Sequence, residues 1–335
     1  MTKHKKPTIY DVAKLSGVSI STISYALNAP DKVNPETRQK ILAAIDAIGF
    51  VPRADVRARA LKRTSRIGVL SPFFTAPSFV QRFRGVASAL SKEHYEMVIY
   101  PIDSLDQLQG YLSSIPLMNN IDGLIIMALL VGDQDALRLS SNGMETVLIE
   151  YSHPNLNSIV TDDYLGGKLA AEHLLKKGHK IFGFLGNIES PEQVSIQPVR
   201  LRLAGFAQTL QDAGFPLSEA YIRSTPYTTK ESRQAAYELL SLPERPTAIF
   251  SASDVQALAV MKIARQLNIN IPNDLALVGF DDIDLAEQAD LTTISQYIDE
   301  SGKLAAEILL SRIHEPNRLL QHIKLPVTLV ERGTT

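Results

Sequence analysis

No cysteine occurs in the 335-residue chain, which excludes disulfides and thiolate metal sites and gives no hint of an oxidising compartment. Long apolar runs are also missing, since no stretch of ~18 apolar residues is present to span a membrane. The opening MTKHKKPTIYDVAK is basic with no apolar run behind it, which is not the pattern of a secretory signal, so a soluble cytoplasmic protein with no membrane partner is expected. Catalytic signatures are absent too: there is no Walker A loop, no GxGxxG after a strand, no HExxH and no GxSxG elbow. The seven histidines are scattered without ligand spacing, and His173 and His179 read as ordinary helix-end residues. Neither an enzyme nor a bound metal or cofactor is expected.

What is present is a globular composition, 45% hydrophobic and 21% charged, in a length that suggests two or three compact units. The net charge of -2 conceals an asymmetry. Up to Arg66 there are 13 Lys and Arg against 5 Asp and Glu, a net of +8; the remainder has 21 against 31, a net of -10. A basic head on an acidic body points to a polyanionic partner for the head.

Within the head, Thr8 and Asp11 form a capping-box start for a helix from about Ile9. Gly17 ends that helix, and Ser19 caps a second one about two residues later. Helices joined so tightly must cross steeply, as in a helix-turn-helix. Ala13 permits the close crossing, and Val12, Leu15, Val18, Ile23 and Leu27 are expected to face inward. Ile20, Ser21 and Tyr25 then fall on one outward arc of the second helix, where they could reach base edges in a major groove. Asn34-Pro35-Glu36 reads as the start of a third helix that carries Ile41, Leu42, Ile45 and Ile48 on one side and stops at Gly49. A three-helix module that binds protein is the competing reading.

The stretch after Pro52, RADVRARALKRTSR, is too short and too densely charged to be a stable helix alone. Phosphates could order it and let Leu61 wedge between base steps from the minor groove. A flexible linker is the alternative.

From Arg66 onward, apolar strands alternate with helical periods: RIGVLSPF, YEMVIYPI, IDGLIIMAL and TVLIEY, then KIFGFLG, TAIFSAS and LALVGFDD. This pattern predicts two successive parallel sheets, each covered on both faces, with a cleft between two lobes. Ligands in such sheets bind beyond the carboxyl ends of strands. The candidates there are Pro72, Phe73, Phe74, Glu150, Ser253, Asp254, Asp281, Asp282, Arg202 and Gln296. Carboxylates, an arginine and an amide among aromatic rings suit a polyhydroxylated ligand, whereas Asp254 and Asp282 by themselves read as helix caps or surface ion pairs.

The strings TIYDVAKLSGVSISTISYALN, DDYLGGKLAAEHLLKKGHKIFGFLGN, RLAGF, VGFDDID and LTTISQ, in this order, closely resemble the lactose-repressor/galactose-repressor family from about Thr8 to the final LVERG. The resemblance implies an all-α helix-turn-helix head over residues 1–51, a hinge over 52–65 and an effector-binding and dimerisation core over 66–335. That core would be α/β, with two doubly wound parallel-sheet lobes of the type I periplasmic binding protein-like kind, about 66–162 with 295–323 and about 163–292 with 324–333. It implies a homodimeric transcription regulator, most often a repressor, that binds near-palindromic double-stranded operator DNA and is controlled by a small effector such as a sugar. By position, Ile20, Ser21 and Tyr25 would read bases and Thr8, Ser19, Thr22, Ser24 and Asn28 would meet phosphates, while Arg59, Ala60 and Leu61 would enter the minor groove. Phe74, Phe79, Glu150, Arg202, Ser253, Asp281 and Gln296 would line the effector pocket. Three departures stand out. Tyr25 replaces an arginine or histidine that reads guanine, Ser253 replaces an asparagine or aspartate, and the segment from Pro52 to Leu61 is longer than usual and carries Asp55. A sugar-binding protein without DNA function would share the core but have no use for the head, and a purine or nucleoside could also stack on Phe74.

Overall fold

The computed structural model describes residues 7–28, 33–48, 64–118, 120–188, 198–226 and 229–335. It forms two compact units, divided between Thr64 and Ser65. The expected hinge residues Arg59, Ala60 and Leu61 lie outside the described residues.

The first unit contains α1 (Ile9–Ser16), α2 (Ile20–Asn28) and α3 (Pro35–Ile48). Its caps are those expected. The Thr8 backbone N–H and hydroxyl donate to Asp11 Oδ2 at 2.8 and 2.7 Å, Gly17 takes a left-handed conformation (φ 70°) to end α1, and Glu36 N–H donates to Asn34 Oδ1 at 2.9 Å. Val12, Ile23, Ala26, Ile41 and Ala44 make the core, with Ala13, Val18, Ile45 and Ile48 packed around it. Two expected core residues are misplaced, because Leu15 and Leu42 are exposed. On α3 the buried stripe runs through positions 41, 44, 45 and 48 at helical spacing, and position 42 is rotated ~100° from 41.

The second unit holds two six-stranded sheets. Sheet 1 comprises β1 (Arg66–Ser71), β2 (Glu96–Pro101), β3 (Gly123–Met127), β4 (Glu145–Ile149), β5 (Asn157–Thr161) and β11 (His322–Leu325). Its order is β11-β5-β4-β3-β1-β2, parallel throughout. Sheet 2 comprises β6 (Phe182–Gly186), β7 (Ile222–Ser224), β8 (Ala248–Ser251), β9 (Ala276–Asp281), β10 (Thr293–Ser295) and β12 (Thr328–Val330). Its order is β12-β10-β9-β8-β6-β7, and only the β12 edge runs antiparallel.

Strand alternation separates two cores per sheet, the mark of double winding. In sheet 1, Ile67, Val69, Ile125 and Met127 point to one face and Leu70, Leu124 and Ile126 to the other. In sheet 2, Phe184, Phe250, Val278 and Phe280 face one core, and Leu185, Ile249 and Leu277 face the second. The covering helices of lobe 1 are α4 (Pro77–Lys92), α5 (Leu105–Met118), α6 (Asp133–Ser141) and α12 (Ile298–His314). Those of lobe 2 are α7 (Asp163–Lys176), α8 (Pro198–Asp212), α9 (Thr229–Leu240), α10 (Asp254–Gln266) and α11 (Asp284–Gln288).

The chain passes between lobes three times: after β5, after β10 and after β11. The last two crossings lie a few residues beyond those expected, because Thr293–Ser295 pairs with β9 and His322–Leu325 pairs with β5.

Candidate functional site

Both sheets present their carboxyl ends to these crossings, and the backbone there is under strain. Ala128 after β3, Glu150 after β4, Asp281 and Asp282 at the end of β9, and Tyr297 after β10 all have positive φ, from 53° to 120°. Non-glycine residues in that region cost of order 1–3 kcal/mol each, and such costs concentrate at functional sites.

Arg202, on the second turn of α8, organises the lobe 2 side. Its Nε donates to Asp163 Oδ1 at 2.8 Å and its Nη1 to the Ala252 carbonyl at 2.7 Å, with Asp281 Oδ1 3.8 Å away. The guanidinium lies 3.5 Å over the Phe280 ring, a cation–π support drawn from the phenylalanine cluster of the core. Gln296, on a crossing segment, donates from Nε2 to Asp281 Oδ1 at 2.6 Å and accepts from the Thr161 hydroxyl of another crossing at 3.4 Å.

On the lobe 1 side, Arg82 of α4 donates from Nη2 to Glu150 Oε1 at 2.6 Å and from Nε to Ser301 Oγ at 3.0 Å. Its guanidinium sits 5.6 Å from the Phe79 ring, and Phe79 packs edge-on against Phe73. The two sides sense each other. Burial pushes the Asp281 carboxyl up to about 6 against the pull of Arg202 and Gln296, and the charges of Glu150 and Arg82 act on it from the other lobe. Asp163 is raised for the same first reason, burial, with Arg202 opposing.

The structure thus gathers Glu150, Arg202, Asp281 and Gln296 into one cluster, with Phe79 against its lobe 1 arm. Ser253 is buried beside it but its hydroxyl is occupied, capping α10 by accepting from Gln256 N–H at 3.3 Å and donating to Gln256 Oε1 at 3.0 Å. Phe74 is 44% exposed. Asp282 pairs with Arg332 at 2.7 Å, as a salt bridge. Asp254 is different from the helix cap or surface ion pair expected. Its carboxylate is buried and accepts from Ile283 N–H and the Thr293 hydroxyl, which fixes the end of β9 to α10. Burial and the neighbouring Asp281 raise its pKa. Sequence reading missed Arg82, Asp163, Thr161 and Ser301. A signal existed for Arg82, which stands three residues before Gly85 as Arg202 stands before Gly205.

In the first unit, Ile20 and Tyr25 are 39% and 54% exposed on α2, and Ser21 is exposed beside them. Ser19 Oγ bridges the hydroxyls of Ser21 and Thr22 at 2.8 Å each and accepts from Thr22 N–H at 3.2 Å. Ser24 is half-buried on the same helix and Thr8 is exposed ahead of α1; Asn28 is the last residue of α2.

Residues 8–53 match the bacterial regulatory proteins of the lacI family, and residues 171–335 match a periplasmic binding protein-like domain. The ribose operon repressor of Escherichia coli K12 is 31% identical over 334 residues, covering 98% of this chain and 99% of the relative. The chain belongs to the lacI family. This LacI-family regulator also superposes on the lac repressor dimer bound to operator and the anti-inducer ONPF, with a TM-score of 0.78, 26% identity and 99% of each chain covered. A LacI-family regulator from Enterococcus faecium with bound ribose gives a TM-score of 0.71 at 29% identity, over 81% of this chain and 98% of that one. The DNA-binding transcription regulator implied by the helix-turn-helix and the two-lobed core is therefore the function of this chain.

Proposed function

We propose that this regulator is a cytoplasmic homodimeric repressor whose operator affinity is set by a sugar held between the core lobes. One observation carries the reading: a basic helix-turn-helix head shares a chain with a buried cluster of arginines and carboxylates at the facing strand ends of two lobes. Each head reads half of a near-palindrome through Ile20, Ser21 and Tyr25. Thr8, Ser19, Thr22, Ser24 and Asn28 meet phosphates, and Arg59, Ala60 and Leu61 enter the minor groove. The exposure of Ile20, Ser21 and Tyr25 on one face of α2 supports the first assignment. Apolar contact and hydroxyls there replace the guanidinium fork that reads guanine, so the preferred half-site differs from one built on an arginine contact. Repression by occlusion needs no contact with polymerase, and the ribose-bound and operator-bound relatives supply the precedent. Among the described residues no helix is long and apolar enough to cross a membrane.

The sugar contacts are assigned to Glu150, Arg202, Asp281 and Gln296, with Phe74 and Phe79 as an aromatic wall and Ser253 at its back. Carboxylates accept from sugar hydroxyls, arginine and glutamine N–H groups donate to them, and rings stack on their apolar faces. Thermal unfolding of the full chain against a panel of sugars and nucleobases tests this. A ligand at 100 times its Kd adds about 2.7 kcal/mol to stability, so stabilisation by a sugar supports the reading. Stabilisation by nucleobases alone, or by nothing in the panel, overturns it.

A further inference from the structure

The two lobes repeat one plan. Read across the sheets, β4 of lobe 1 holds the place of β9 in lobe 2, and β3 holds that of β8. Helices α4 and α12 cross as α8 and α7 do. A Cβ on Gly302 would lie 2.1 Å from the Arg82 carbonyl oxygen, and one on Gly167 would lie 1.9 Å from that of Arg202. Arg82 is thus the counterpart of Arg202, and Glu150, just past β4, is the counterpart of Asp281 at the end of β9. Each lobe offers the crossing one arginine–carboxylate pair from the same station.

The two arginines are not equally supplied. Nη1 of Arg202 donates to the Ala252 carbonyl, one residue past β8. The matching residue past β3 is Ala128, which turns to φ 53° and bonds through its N–H to Ile149 of β4, whereas the Ala252 N–H bonds to Leu185 of β6. Arg82 Nη1 is left buried without a partner, on a side chain only 1% exposed. Among the described residues the other buried polar side-chain atoms without a partner are Ser71 Oγ and Ser251 Oγ, each on the last residue of a strand, β1 and β8. Among the described residues, all the unused hydrogen-bonding capacity of this kind is therefore at the cleft end of the sheets.

We propose that Arg82 is a second ligand-binding arginine, and that the effector is an uncharged sugar held between the Arg82–Glu150 and Arg202–Asp281 pairs. Arg82 Nη1 donates to a sugar oxygen and Glu150 accepts from a neighbouring hydroxyl, as Arg202 and Asp281 do at the other end. This rests on the reading of the cleft as a sugar site. A hydroxyl both donates and accepts, so a guanidinium beside a carboxylate matches it better than either group alone. Among the described residues of the cluster, two arginines against Glu150, Asp163 and Asp281 leave no surplus positive charge as a counter-ion for a sugar phosphate or sugar acid.

The test is calorimetric titration of the full-length protein with D-ribose, D-glucose, D-galactose and cellobiose. D-ribose 5-phosphate and D-gluconate serve as the charged arms, and Arg82→Met and Arg82→Lys are compared with the unmodified chain. The expected result is that a neutral sugar binds and both substitutions weaken it ~10- to 100-fold, the scale of one charge-assisted hydrogen bond. Monodeoxy analogues of that sugar separate a direct contact from a structural role. The analogue missing the oxygen that Arg82 holds loses affinity for the unmodified chain but loses little more for Arg82→Met. Tighter binding of a charged arm overturns the neutral-ligand claim. Unchanged affinity in both variants, or equal deoxy losses in variant and unmodified chain, overturns the Arg82 contact while leaving the sugar site standing. If no sugar binds, charged or neutral, the reading beneath it fails too.

Discussion

The two lobes share strand order, helix crossings and the station of an arginine, yet lobe 2 completes its arginine internally and lobe 1 does not. Arg202 has two carboxylates, a carbonyl and an aromatic ring around it. Arg82 has one carboxylate, one hydroxyl and a ring at 5.6 Å. A buried group satisfied from within holds a shape, and one left short has something to gain from a ligand. Lobe 2 therefore supplies a fixed anchor, and lobe 1 supplies the part of the site that ligand completes.

The largest expected effect comes from removing the anchor. Arg202→Met strands Asp163 and Asp281 as buried carboxylates without their cation, a loss of about 3–5 kcal/mol in urea unfolding together with loss of sugar binding. Arg82→Met costs less, about 1–3 kcal/mol, because its guanidinium makes fewer bonds. Equal costs at the two positions would break the contrast between lobes. Gly167→Ala and Gly302→Ala probe the shared plan instead. Each pushes a Cβ to within about 2 Å of a carbonyl oxygen, and both should lose similar stability, about 1–3 kcal/mol or more for such overpacking. A large difference between them would mean the helix crossings are not equivalent.

Next in size is the pH response of the anchor. Asp281 has its pKa raised, to about 6, so its protonated form is the one favoured by folding. The stability linked to this group is full below the ordinary carboxylate range and is lost as pH rises to about 6. Sugar hydroxyls donate to the ionised form, so affinity runs the other way. It should rise about tenfold from pH 5 to pH 7 and then level off, and Asp281→Asn should flatten the curve. A flat profile in the unmodified chain removes Asp281 as an acceptor. The smallest effect is at Arg84 of α4, which clasps Asp284 of lobe 2 and Asp299 of α12 at 2.7 Å each. It is half exposed, so solvent screening leaves the clasp worth under about 1 kcal/mol in an Arg84→Ala comparison.

The head was legible residue by residue because caps and turns are local: Thr8, Gly17, Ser19 and Asn34 each announce a helix end by their own chemistry. Its inner face was read less well, since Leu15 and Leu42 are apolar but sit off the buried arc. In the core the long central strands declared themselves through unbroken Val, Ile and Leu runs. The short strands β5, β7, β11 and β12 did not, because three to five residues of mixed polarity carry no periodicity. Of the site, the residues just past strand ends were found, and Arg82 was not. It sits inside a helix that reads as ordinary amphipathic surface, and only the repeat of lobe 2 in lobe 1 gives it meaning.

Reciprocity between the two ligands is the most direct test of control by the cleft. Operator fragments selected from genomic DNA by the full-length protein would be titrated by fluorescence anisotropy at fixed salt, with and without the sugar that stabilises it. Sugar affinity would then be measured with and without operator. Control predicts that saturating sugar changes operator Kd by about 5- to 150-fold and that operator changes sugar Kd by the same factor. An operator Kd that saturating sugar leaves unchanged would contradict it.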